Sequence, residues 1–87
     1  MNTLPDENAT SLPGMIDVFT TSDGQIGIDG CIPRSVAREL NLSQRFPGMI
    51  FLRVGDKMVL FELHLKSAPI AEYILRVAKS AGVQTGR

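Results

Sequence analysis

The sequence predicts a small α+β domain, rich in β-hairpins, with one short internal helix and an amphipathic helix near the C-terminus. Three observations carry that fold class. Turn residues separate strand-like runs at 15–28 and 49–65, Pro33 opens a short helical period, and a long apolar stripe runs from Ile70 to Ala81. A fourth observation, that the second hairpin is apolar on both faces, predicts an oligomer. At 87 residues the chain fits one domain, and such a domain buries only roughly 60–65% of its unfolded surface.

Residues 1–13 (MNTLPDENATSLP) carry two prolines and no hydrophobic period, and are expected to form a flexible tail ahead of a single domain over 14–87. Met15 to Thr20 alternates, with Ile16 and Val18 on one side. Thr21-Ser22-Asp23-Gly24 then supplies a turn before Gln25-Ile26-Gly27-Ile28, giving a first hairpin. Asp29-Gly30 predicts another turn or bulge.

Pro33 suits the first turn of a helix, because its fixed φ is helical and its missing N–H would be unpaired there. That helix is expected to run through Leu42, with Val36, Ala37 and Leu40 on its apolar face and Arg34 and Arg38 on another. Ser43 to Gly48 is expected to be a loop. Ser67 is the expected N-cap of the last helix and Gly82 its left-handed terminator, followed by Val83. Leu75 beside Ala71 and Ala78 widens the stripe enough to suggest contact with two surfaces.

The second hairpin joins Met49–Val54 to Lys57–Leu65 through Gly55-Asp56. A two-residue turn there makes Val54 oppose Lys57, Leu52 oppose Val59 and Ile50 oppose Phe61, with Leu63 continuing a core face. The other face carries Met49, Phe51, Met58 and Leu60. Leaving four such side chains wet forgoes about 6–12 kcal/mol, at about 1.5–3 kcal/mol each. These four, with Leu75, are the expected oligomer interface, so a charged residue at Phe51 or Leu60 is expected to give monomer or unfolded chain.

Composition excludes several functions. The only cysteine, Cys31, allows no intrachain disulfide and no thiolate metal cluster, which suits a reducing, cytoplasmic location. No apolar run approaches the ~20 residues of a membrane span. The single histidine, His64, alternates outward between Glu62 and Lys66 with no further soft ligands near it in sequence, and reads as a half-exposed strand residue. No catalytic set, cofactor motif or metal motif stands out, so a non-enzymatic role is expected.

Net charge is zero but unevenly placed. Residues 1–33 hold five acids and no base, and residues 34–87 hold nine bases against four acids. Arg34, Arg38, Arg45 and Arg53 are the candidate DNA-binding residues, since a guanidinium fork suits phosphates and guanine edges. The order of a glycine-containing strand (Gly24-Gln25-Ile26-Gly27-Ile28), Ile32-Pro33, a helix ending Arg38-Glu39-Leu40-Asn41-Leu42, and a hairpin at Gly55-Asp56-Lys57-Met58-Val59-Leu60 resembles the AbrB/MazE swapped-hairpin family over residues 15–65. The resemblance implies an interleaved homodimer that binds double-stranded DNA as a transcriptional regulator, with Arg34 and Arg38 at DNA-contacting helix positions. The alternative is a non-enzymatic adaptor or inhibitor, antitoxin-like ones included, that docks another protein on the apolar hairpin face and the last helix.

Overall fold

Two hairpins build most of the sheet in the computed structural model, which describes residues 14–46 and 48–86. The tail expected over 1–13 lies outside the described residues. Strands β1 (Met15–Thr20) and β2 (Ile26–Pro33) pair antiparallel, as do β3 (Met49–Val54) and β4 (Met58–Leu65). The hairpins join through an eight-residue antiparallel ladder between β2 and β4, from Ile26↔Leu65 to Pro33↔Met58. A short β5 (Gln84–Thr85) adds parallel to β1, giving the order β3-β4-β2-β1-β5. Helices α1 (Arg34–Leu40), α2 (Leu42–Arg45) and α3 (Ala68–Ser80) complete a small α+β domain within one chain.

The first turn forms as its residues predict. Gly24 sits at φ 86°, its N–H donates to the Thr21 carbonyl at 3.0 Å, and the Thr21 hydroxyl accepts from the Gln25 N–H at 2.8 Å. Asp29-Gly30, expected to turn, lies instead inside β2, because ladders with β1 and β4 hold the strand on both edges. Gly30 is there for close approach: a Cβ on it would overlap the Met15 carbonyl of β1.

Pro33 caps α1 with extended backbone, φ −60° and ψ 148°. The helix stops sooner than its period suggests. Asn41 takes the left-handed conformation (φ 56°) that asparagine tolerates best after glycine, and its N–H bonds the Arg38 carbonyl at 3.0 Å. The chain then restarts as α2, where a loop was expected, and this break lets both Leu40 and Leu42 reach the core.

Helix α3 starts and ends where predicted. The Ser67 hydroxyl accepts from the Ile70 N–H at 3.3 Å. At the other end Gly82 (φ 87°) donates to Lys79 O and Val83 to Ala78 O, a full Schellman pair that buries Val83. Ala71, Ile74 and Ala78 of α3 meet Val36, Ala37 and Leu40 of α1 over Ile16, Ile28, Ile32, Phe61 and Leu63 of the sheet. Both helices therefore cover the same sheet face.

The second hairpin departs from its expected register by two residues. Gly55 N–H donates to Met58 O at 2.8 Å, so the turn centres on Asp56-Lys57, and Val54 opposes Val59 while Leu52 opposes Phe61. This placement aims the Lys57 carbonyl at the Arg34 N–H (3.0 Å), satisfying a donor that the first turn of α1 leaves free. A shift of two preserves faces. A bulge between Met49 and Phe51 does not: Met49 pairs with Leu63 and packs against the core, while Ile50, expected in the core, is 58% exposed. We expect Met49→Lys to cost about 1–3 kcal/mol in urea unfolding, as a charge placed against apolar core, and Ile50→Lys less than about 0.5 kcal/mol. Equal losses would contradict the bulge.

Candidate functional site

With both helices on one side, the other side of the sheet is uncovered. Alternation points Met15, Asp17 and Phe19 of β1, Gly27, Asp29 and Cys31 of β2, Phe51 and Arg53 of β3, and Leu60, Glu62 and His64 of β4 toward it. Met15 (51%), Phe51 (42%), Leu60 (41%) and Phe19 (36%) are exposed there. Together with Cys31 they would make an ordinary apolar patch but for the residues between them.

The register aligns Asp17, Asp29 and Glu62 in one row across three neighbouring strands, with Phe51 next in line on β3. Directly opposed residues on adjacent strands stand about 5 Å apart at Cβ, where like charges repel. Glu62 is hydrogen-bonded to His64, whose Nε2 lies 2.7 Å from its Oε2. Among the described residues no lysine or arginine forms an ion pair with Asp17, Asp29 or Glu62. Partial burial, with the charges of Asp17 and Glu62 on the flanking strands, raises the Asp29 carboxyl above its ordinary pKa. The acid row and its apolar borders form a hollow of about 440 Å³ lined by Met15, Cys31, Phe51 and Leu60.

Because the folded-state pKa of Asp29 is raised, the native state holds this proton more readily than the unfolded chain does. Its stabilising contribution is full below the unfolded pKa and lost as pH rises through the folded value. Ionised Asp29 therefore burdens the fold at neutral pH. Asp29→Asn should raise the urea midpoint at pH 7, and the gain should vanish as pH falls below about 3.9, the ordinary aspartate value. A midpoint unchanged or lowered at pH 7 would show that the row carries no strain.

At the lower end of the face the Phe19 ring lies over Gly27, where a Cβ would overlap it, and meets the His64 ring edge-on at 5.9 Å. One His64 nitrogen is thus occupied by Glu62 and the ring is held by an aromatic neighbour. Among the described residues no three His, Cys, Asp or Glu side chains converge as metal ligands.

The residues expected to form the oligomer interface divide. Phe51 and Leu60 lie on the open side and are exposed, and Met58 is half-buried beside Pro33. Met49 and Leu75 pack against their own core instead, Met49 through the bulge and Leu75 because α3 lies wholly on the helical side. The second hairpin face therefore receives no cover from α3.

The four candidate DNA-binding arginines are all exposed but do not share one surface. Arg34 and Arg38 flank a groove of about 220 Å³ floored by Ala37, Leu52, Val54 and Val59, and Arg34 Nη1 donates to the Asp56 carbonyl at 3.3 Å. Arg45 lies over Tyr73, 5.1 Å from its ring centre, and donates to its hydroxyl at 3.3 Å. Arg53 sits on the opposite side, opposite Leu60.

Asp17, Asp29, Met15 and Phe19 are site residues that sequence reasoning missed. The odd-numbered alternation of β1 and β2 holds the signal, yet the row exists only once β2 is paired with β4. The helices form no membrane span: among the described residues none is long and apolar enough to cross a bilayer. No family model, curated protein or solved structure matches the chain.

Proposed function

We propose that this chain is a non-enzymatic binding domain that docks a different protein on the open face of its sheet. The observation that carries this reading is the uncovered face itself, where Met15, Phe51 and Leu60 stand in water around a hollow and Phe19 is exposed beyond the acid row. Single exposed apolar residues are ordinary, but a contiguous set on one sheet face is the usual mark of an interface. A second copy is a poor occupant. A two-fold, face-to-face pairing would set two acid rows against each other, six carboxylates in one desolvated layer.

Photo-crosslinking tests this. A crosslinking residue at Phe51 or Leu60 should capture a partner in cells that one at Lys79, on exposed α3, does not. The captured protein, once purified, should bind the Phe51→Ser/Leu60→Ser variant at least about 30-fold more weakly, as expected of central apolar anchors. Equal capture from Lys79, or unchanged affinity of the double variant, would refute the reading.

A second reading, a DNA-binding regulator of AbrB-like type acting as a dimer, is favoured by one feature: Arg34 and Arg38 flank the same groove. On that reading duplex binding falls steeply with salt, because phosphate neutralisation releases counterions. Arg34→Ala with Arg38→Ala should then abolish the mobility shift at low salt. Unchanged binding by that variant would end it.

A further inference from the structure

We propose that the partner's docked segment presents lysine or arginine side chains to the Asp17–Asp29–Glu62 row while apolar residues beside them seat on Phe51, Leu60 and Met15. This rests on the docking reading and adds the chemistry of the partner. Three aligned carboxylates are a costly arrangement on a strand ladder. A cation laid over the row reverses that cost, since each carboxylate gains a charged donor in the partly desolvated hollow. The long stems of Lys and Arg would lie along the apolar border while their heads reach the acids. From Asp17 to Glu62 is two inter-strand steps, about 10 Å, which is also the separation of residues i and i+7 along a helix.

The charge of the whole molecule favours this occupant over others. The open face sets three carboxylates against Arg53, whereas the helices carry Arg34, Arg38, Arg45, Arg76 and Lys79 against Glu39 and Glu72. Nucleic acid and anionic lipid are repelled by the open face. The helical side of another copy has the right charge. Its exposed large apolar side chains are split, however: Val54 lines the groove beside Arg34 and Arg38, while Ile70 shares a separate hollow with Ile50 and the cationic Lys66.

The experiment uses the full chain labelled with ¹⁵N and two peptides, each about 18 residues and amphipathic, one built from Leu and Lys and the other with Glu for every Lys. The Leu/Lys peptide should shift the amides of Asp17, Asp29 and Leu60, and the Leu/Glu peptide should not. The isosteric triple variant Asp17→Asn/Asp29→Asn/Glu62→Gln, which relieves repulsion and so should fold, should bind the Leu/Lys peptide at least tenfold more weakly. Equal binding of both peptides, or an unaffected triple variant, overturns the cationic partner while docking survives, provided Phe51→Ser/Leu60→Ser still abolishes binding. If neither peptide shifts the face, or the apolar double variant binds as wild type does, both readings fall. A wild-type oligomer that Leu60→Ser dissociates would place a second copy there and overturn both as well.

Discussion

Phe61→Ala is expected to lower the free energy of unfolding by about 3–5 kcal/mol, the usual cost of truncating a buried aromatic side chain. Leu60→Ser, one residue earlier, should cost less than about 1 kcal/mol. Phe61 is fully buried at the centre of β4, opposite Gly30 on one side and Leu52 on the other, beneath both main helices. Its removal leaves a cavity bounded by strands that cannot close in without breaking a ladder. Leu60 points to the open face and is 41% exposed, so serine there mostly exchanges one wetted side chain for another. Against a total stability of about 5–15 kcal/mol, the first change removes a large share and the second is nearly silent. Urea unfolding of both variants, with circular dichroism as readout, decides it. Similar losses would mean that the second hairpin face is covered, by a second copy or otherwise, and the docking proposal would lose its carrying observation.

The local parts of this fold were legible because their causes are local. Thr21 to Gly24 names its own turn, and Ser67 and Gly82 name the ends of α3 through hydrogen bonds within a few residues. What depended on distant chain was not legible. Gly55-Asp56 looks like a hairpin turn, yet the true turn sits one residue later, where Lys57 O meets the N–H of Arg34, a residue on another element. Gly30 looked like a turn residue because a sequence cannot show that β1 passes close beside it. The bulge that exchanges Met49 and Ile50 has no local signature at all.

The site was half legible for the same reason. Phe51 and Leu60 could be assigned to the second hairpin face from alternation within one hairpin, and both are exposed there. The acids joined them only through the β2–β4 ladder, which brings residues 29 and 62 side by side. The charge asymmetry of the sequence proved informative in an unforeseen way. Its acidic first third supplies β1 and β2, and with them Asp17 and Asp29 of the open face; its basic remainder supplies the helices, along with β3 and β4, which bring Arg53 and Glu62 to that face.

Gly30→Val should separate those two effects, because it is expected to cost about 3 kcal/mol and to do so by moving a strand. A Cβ at Gly30 would overlap the carbonyl of Met15 and approach the Cα of Ile16, both backbone atoms that no rotamer change can clear. Strand β1 must therefore shift away from β2, unseating Ile16 from the core and taking Asp17 out of line with Asp29. Gly27→Ala is the control. There the atoms nearest the added Cβ belong to the ring of Phe19, an exposed side chain that can swing outward, so a loss nearer 1 kcal/mol is expected. Amide exchange supplies the structural readout: Gly30→Val should speed exchange along β1 while sparing the β2–β4 ladder, and Gly27→Ala should leave both protected. If the two variants lose the same stability, or if β1 stays protected in Gly30→Val, then close packing at Gly30 does not hold β1 in place. The alignment of Asp17 with Asp29 and Glu62 would then need another cause.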